Sequence, residues 1–278
     1  MIDVSLASAF IARILPEPHA GLLSGILFGT KMAIPYELKN ALQTTGTLHI
    51  TALSGMNITI LTGLFFSTFV AFMPRWLASI LTIGVIGFFV WFVGLSPSVV
   101  RAAIMGCITL LTAVTGYISI AMLTWGVTVI GMIVIHPAWV TDISFQLSAL
   151  ASLGMIMFSK QSSVQYMSNE QGKPWSFAAK QVWVWIQKEL TTTLSAQVFT
   201  LPLILCTFGR ISLISPLTNI LIGWTIPIIT VLGLAVCMFG LFLPAVSYIL
   251  GWITWVFLDY LIKVILWSSY IPLASIGR

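Results

Sequence analysis

From Ala102 to Ile135 the chain runs without one charged side chain. That run exceeds the roughly 20 residues that one bilayer crossing needs, so it must hold two helices or fold back on itself. The rest of the composition agrees: 59% of residues are hydrophobic and only 7% charged, far from the balance of a soluble domain. A polytopic all-α membrane protein is the fold class this dictates, because helices satisfy their own backbone groups in lipid. The net charge of +5 is too small to argue for nucleic acid, and suits the basic anchoring of cytoplasmic loops. Cys107, Cys206 and Cys237 lie in apolar runs without metal or disulfide spacing, so they read as packing residues. Met1 to Arg13 lacks a basic leader and has a short apolar part, which is not the pattern of a signal peptide.

Residues 1–48 read differently from a plain span. Ala20 to Thr30 is apolar but short, and Gly21, Gly25 and Gly29 recur every fourth residue. Such spacing gives one helix a smooth face for close packing, so a short or re-entrant helix is expected here. Pro35 opens a second, amphipathic helix through Tyr36 to Gln43. Together 1–48 are expected to be interfacial helices preceding a transmembrane core over 49–278. The core should open with His49–Met73 and Trp76–Gly94. Two spans follow within 102–135, broken at Gly116-Tyr117, and then Ile143–Phe158. Residues 159–189 are the substantial polar segment, with Lys160, Lys173, Lys180 and Lys188, and are expected to face the cytoplasm. That places 1–48 outside. Apolar residues at 175, 178, 182, 186 and 190 predict an interfacial amphipathic helix before a span at Thr191–Phe208. With two or more passes beyond Ile211, the expected total is about eight spans. Asp259 and Lys263 stand one turn apart on the last helix and can pair.

Polar residues interrupt this apolar chain at few places. The densest is Thr47-Leu-His-Ile-Thr-Ala-Leu-Ser-Gly-Met-Asn-Ile-Thr59. A helix facing hydrocarbon would not place His49, Ser54, Gly55 and Asn57 in its first turns, so the stretch should face protein or water. Ser54-Gly55 resembles the motif of intramembrane serine proteases, but a nucleophile there needs a base. His49 lies five residues away, off the helical face of Ser54, and His136 sits beside Pro137 at a span end. The bland reading is small residues allowing helix packing, and the reading preferred over both is a polar lining. Arg101 follows Pro97-Ser-Val-Val. Taken alone, it reads as an arginine snorkelling to the interface. If it faces the interior, its planar, permanently charged fork suits phosphate or carboxylate. Gln146 and Ser148 fall early in a short apolar helix behind Asp142, whose own role is a helix cap. Gln197 before Pro202, and Asn219 after Ser215-Pro216, repeat the pattern of a polar group beside a helix break.

These blocks carry a resemblance. Gly46-Thr-Leu-His-Ile-Thr-Ala-Leu-Ser-Gly-Met-Asn is similar to the signature of the ComEC competence family. Ser98-Val-Val-Arg-Ala-Ala-Ile-Met, Phe145-Gln-Leu-Ser, Ala196-Gln-x4-Pro202 and Pro216-Leu-Thr-Asn219 resemble its later blocks, in the family's order. The resemblance spans about residues 17–225. It implies an inner-membrane channel that passes single-stranded DNA during natural transformation, not an enzyme. Full-length members often carry an oligonucleotide-binding domain before the core and a metallo-β-lactamase-like nuclease domain after it. Neither is read in this sequence, and His19, His49 and His136 form no metal-binding cluster. No metal, cofactor or catalytic residue is therefore expected. The expected path is lined by His49, Ser54, Gly55, Asn57, Arg101, Gln146, Ser148, Gln197 and Asn219. The expected partners are single-stranded DNA, membrane lipids, and separate DNA-receptor, nuclease and helicase-type proteins, with self-association left open. No Gly-x4-Gly-Lys-(Ser/Thr) sequence occurs, so the driving force is expected to come from elsewhere.

Overall fold

A computed structural model of the chain describes residues 4–30, 34–118, 120–158, 174–240, 242–271 and 275–277. Lys31 and most of the expected basic loop, 159–173, lie outside the described residues. Three short helices come first: α1 (Val4–Ile14), α2 (His19–Phe28) and α3 (Tyr36–Thr44). After a 3₁₀ turn at Leu48–Ile50 follow α4 (Gly55–Val70), α5 (Arg75–Val93), α6 (Pro97–Thr115) and α7 (Ala121–Ile135). A second 3₁₀ turn, Pro137–Thr141, leads into α8 (Ile143–Phe158). The remainder is α9 (Pro174–Phe208), strand β1 (Arg210–Ser212), α10 (Ser215–Gly223), α11 (Thr225–Gly240), α12 (Pro244–Ser269) and strand β2 (Ser275–Gly277).

The membrane-type helical fold stands, with three adjustments. Among the described residues, four helices are long and apolar enough to cross a bilayer: α5, α6, Trp183–Thr207 within α9, and α12. Counting α10 and α11, bent by 48° at their junction, as one broken span makes five. Helices α4, α7 and α8 have 16, 15 and 16 residues, short of a full crossing, which is where the expected eight departs from the structure. In α4 the cause is visible, since the polar break at 51–54 takes up the turns expected of a span beginning at His49. The second adjustment is α9. The amphipathic helix expected before Thr191 and the span after it form one continuous 35-residue helix, with Pro202 inside it. No glycine or proline stands between Trp175 and Leu190 to bend it. The third is β1 paired antiparallel with β2, Ile211 opposite Ile276, two short strands that an all-α expectation omitted.

Helix α2 is the centre of the larger core. All ten of its residues are buried, so this part of 1–48 lies within the bundle and not on its surface. Its Leu22, Leu23, Ile26 and Leu27 pack with Ile229 of α11 and Leu258, Leu261 and Ile265 of α12. Small residues on the partner helices admit it. A Cβ placed on Gly233 of α11 would stand 2.7 Å from Leu23 Cδ1 and 2.9 Å from Leu27 Cδ1. Both leucines are at most 1% exposed and have nowhere to move. Gly233→Leu should therefore cost about 1–3 kcal/mol. The check is the thermal midpoint of the detergent-solubilised protein against Gly84→Leu, where nothing lies within 4 Å of the added Cβ.

Candidate functional site: a polar break between helices

The chain turns sharply before α4 because Gly46 takes a left-handed conformation, φ 70°. Thr45 and Thr47, both fully buried, fix that turn. The Thr45 hydroxyl donates to Ala41 O at 2.8 Å and meets the Thr47 hydroxyl at 2.8 Å, while the Thr47 N–H donates to Leu42 O. His49 is exposed and brings Nδ1 to 3.0 Å from Gly46 O. The backbone then runs extended through Ser54, φ −102° and ψ 154°, before α4 begins at Gly55.

Three neighbours enclose this broken segment. On the α2 side, Gly29 allows Leu53 to approach, a Cβ there falling 2.9 Å from Leu53 Cβ. Asn57 Nδ2 donates to Ile26 O, joining α4 to α2. From α10 and β1, Ser215 and Ser212 abut Gly46, whose added Cβ would sit 3.0 and 2.9 Å from their Cβ atoms. From α6, the Ser98 hydroxyl donates to Leu53 O at 3.2 Å. A Cβ on Gly55 would lie 3.1 Å from Ala102 Cβ and 3.4 Å from Arg101 Nη2.

Arg101 is the one strongly charged side chain of this junction. It is only 8% exposed, in the second turn of α6, so the snorkelling reading is corrected. The helix starts at Pro97, which carries residue 101 inward, where the sequence had suggested a boundary between spans. Its Nη1 donates to Ser148 O and Ser152 Oγ of α8, and its Nε has no partner among the described residues. No carboxylate of the described residues pairs with it. Ser152 also accepts from Trp125 Nε1 of α7 at 3.0 Å and donates to Ser148 O at 3.0 Å. Helices α6, α7 and α8 thus meet at the Ser152 hydroxyl.

The expected lining residues sort into groups. Gly55, Arg101 and Ser148 come together at the α4–α6–α8 junction, with Ser54 at its edge. Gln197 Nε2 reaches Ser215 Oγ at 3.3 Å, and Ser215 abuts Gly46, which connects Gln197 with the His49 turn. Asn219 stands one turn beyond Ser215 on α10, half-buried. Two residues do other work. Asn57 is 2% exposed; its Nδ2 is spent on the contact with α2, while its Oδ1 has no hydrogen-bond partner among the described residues. Gln146 donates to Val140 O at 2.7 Å and steadies the 3₁₀ turn before α8, beside Asp142, which caps Ser144 and Phe145 N–H. It lies two residues from Ser148, roughly on the other side of a helix with 3.6 residues per turn. Sequence reasoning missed Ser98, Trp125, Ser152 and Ser215. Ser152 had a signal, one turn after Ser148 on the same face. Trp125 had none in its apolar run.

The competence protein family model matches residues 26–277. The chain belongs to that family. ComE operon protein 3 of Bacillus subtilis (strain 168) is 27% identical over 265 residues, covering 92% of this chain and 30% of its own length. The uncharacterized protein YcaI of Escherichia coli (strain K12) is 25% identical over 168 residues, 56% of this chain and 22% of that protein. The chain therefore spans less than a third of either relative. No solved structure matches it. Competence family membership agrees with the ordered sequence blocks, and four of those blocks supply the polar break with Ser54, Arg101, Ser148 and Gln197.

Proposed function

We propose that this chain is the membrane core of a channel that passes single-stranded DNA across the cell inner membrane during natural transformation. Arg101 is the observation that carries the reading. A buried cation without a carboxylate partner is expensive in a membrane protein and marks a path for charge. Its permanent charge and planar fork match phosphate. The polar break around it offers hydroxyls and backbone carbonyls from α4, α6, α8 and α10, groups that stand in for water along such a path. One arginine cannot neutralise a DNA strand, so hydration of the path supplies the remainder.

The test is uptake of labelled DNA in a competent strain from which the gene is deleted. Loss of cytoplasmic label supports the channel, and undiminished transformation overturns it. If a small anion is the cargo, DNA uptake persists while flux of that anion falls. The channel does no covalent chemistry in this reading, which makes a second outcome specific. Ser54→Ala should leave uptake within about twofold of wild type, because its hydroxyl caps no helix and is replaceable by water. A serine hydrolase would lose orders of magnitude with the same substitution.

A further inference from the structure

Away from the polar break, α2 meets α12 at a second buried polar group. His19 opens α2 and is 9% exposed. Its Nε2 stands 3.6 Å from Asp259 Oδ1, and neither ring nitrogen has a hydrogen-bond partner among the described residues. The ring lies against Trp255, centroids 5.3 Å apart, one turn before Asp259 on α12. The other oxygen of Asp259 holds Lys263 Nζ at 2.7 Å, and that lysine is 74% exposed. One carboxylate therefore stands between a buried imidazole and a cation in reach of water.

The surroundings limit what such a group can bind. Glu17 is the nearest other carboxylate, and its Oε2 accepts the Gly21 N–H at 3.1 Å. Of the helices packed on α2, α1 carries Arg13, which is exposed, and α11 carries Cys237; neither acts on the ring. A metal ion would meet the Lys263 ammonium and only one remaining carboxylate oxygen, too few ligands of the right charge. An anion would meet Asp259. A proton fits, because it converts a 3.6 Å approach into a charge-assisted hydrogen bond of about 2.7–2.9 Å. Two opposing influences keep its binding adjustable. Burial and the positive end of α2 disfavour an imidazolium, while Asp259, with lesser help from the Pro16 carbonyl and Glu17, favours it.

We propose that His19, Asp259 and Lys263 form a proton-exchange site inside the helical core. With His19 neutral, Asp259 stays on its own helix, paired with Lys263. A proton taken from water onto Nε2 draws the same carboxylate toward α2 and loosens it from Lys263. The bound proton thereby moves one strong contact from the surface of α12 to the α2–α12 interface. This holds whether or not DNA is the cargo.

The chain has three histidines, so the test is a pH titration of the full-length protein, labelled with ¹⁵N-histidine and held in nanodiscs. The His19 resonance, assigned by its loss in His19→Gln, should titrate across the scanned pH range. Asp259→Asn should lower its midpoint by about one unit or more. Lys263→Met, which unmasks the carboxylate, should raise it. The His49 resonance should stay in place in both variants. A His19 midpoint unmoved by Lys263→Met, or a ring that takes no proton across that range, overturns the proposal. Lys263 is exposed, so its variant remains informative if Asp259→Asn fails to fold.

Discussion

Arg101→Met should leave the protein folded in the membrane and, in the proposed channel, slow DNA entry sharply. The two effects separate because of how the guanidinium is held. Removing it leaves Ser148 O with the Ser152 hydroxyl, and Ser152 keeps Trp125 as donor. No α8 group is orphaned. Replacing a buried charge by an apolar group of similar volume is often neutral or stabilising. Membrane abundance and thermal midpoint should therefore equal or exceed wild type. A charge-assisted contact to phosphate is worth about 1.5–3 kcal/mol, which converts to a loss of roughly ten- to a hundredfold in uptake rate. Arg101→Lys keeps the charge but not the fork, and should fall between. A destabilised Arg101→Met variant would make this residue a structural tie between α6 and α8, and the channel would then need another cation.

Gly46→Val should prevent accumulation of folded protein. Gly46 combines a left-handed backbone with close contact on both Ser212 and Ser215. A β-branched residue adds about 1–2 kcal/mol of backbone strain and about 1–3 kcal/mol of overpacking. Gly116 separates the two causes, since its φ is 75° with nothing within 4 Å of an added Cβ. Gly116→Ala carries the strain alone. Gly46→Ala should lower the thermal midpoint by clearly more than Gly116→Ala does, and equal shifts would mean that the contact with α10 is soft.

Much of this architecture is legible in the sequence where the signal is local. Helix α8 begins and ends where its apolar run does, and the turn at Gly116 follows from a glycine inside an overlong run. Asp259 and Lys263 pair because a helix puts i and i+4 together. What stays hidden depends on residues far apart in the chain. The glycines at 25 and 29 announce close packing but not that Thr51 and Leu53 receive it. Arg101 has the same local sequence whether it snorkels or turns inward, and only the position of α8 distinguishes the two. Gln146 looks equivalent to Gln197 as an amide near a helix break, yet Val140 takes one and Ser215 the other. A polar residue in an apolar run signals that a partner exists, not which one.

The central position of α2 also bears on biosynthesis. Beside α1 and α3, its burial partners include α11 and α12, some 200 to 240 residues later in the chain. Translation at about 5–20 residues per second delivers them roughly 10 to 50 seconds after α2 leaves the ribosome. For that interval a largely apolar ten-residue helix lacks the surfaces of α11 and α12, and it is too short to wait as a stable span. Assembly must then run backwards with respect to synthesis, the last helices closing over one of the first.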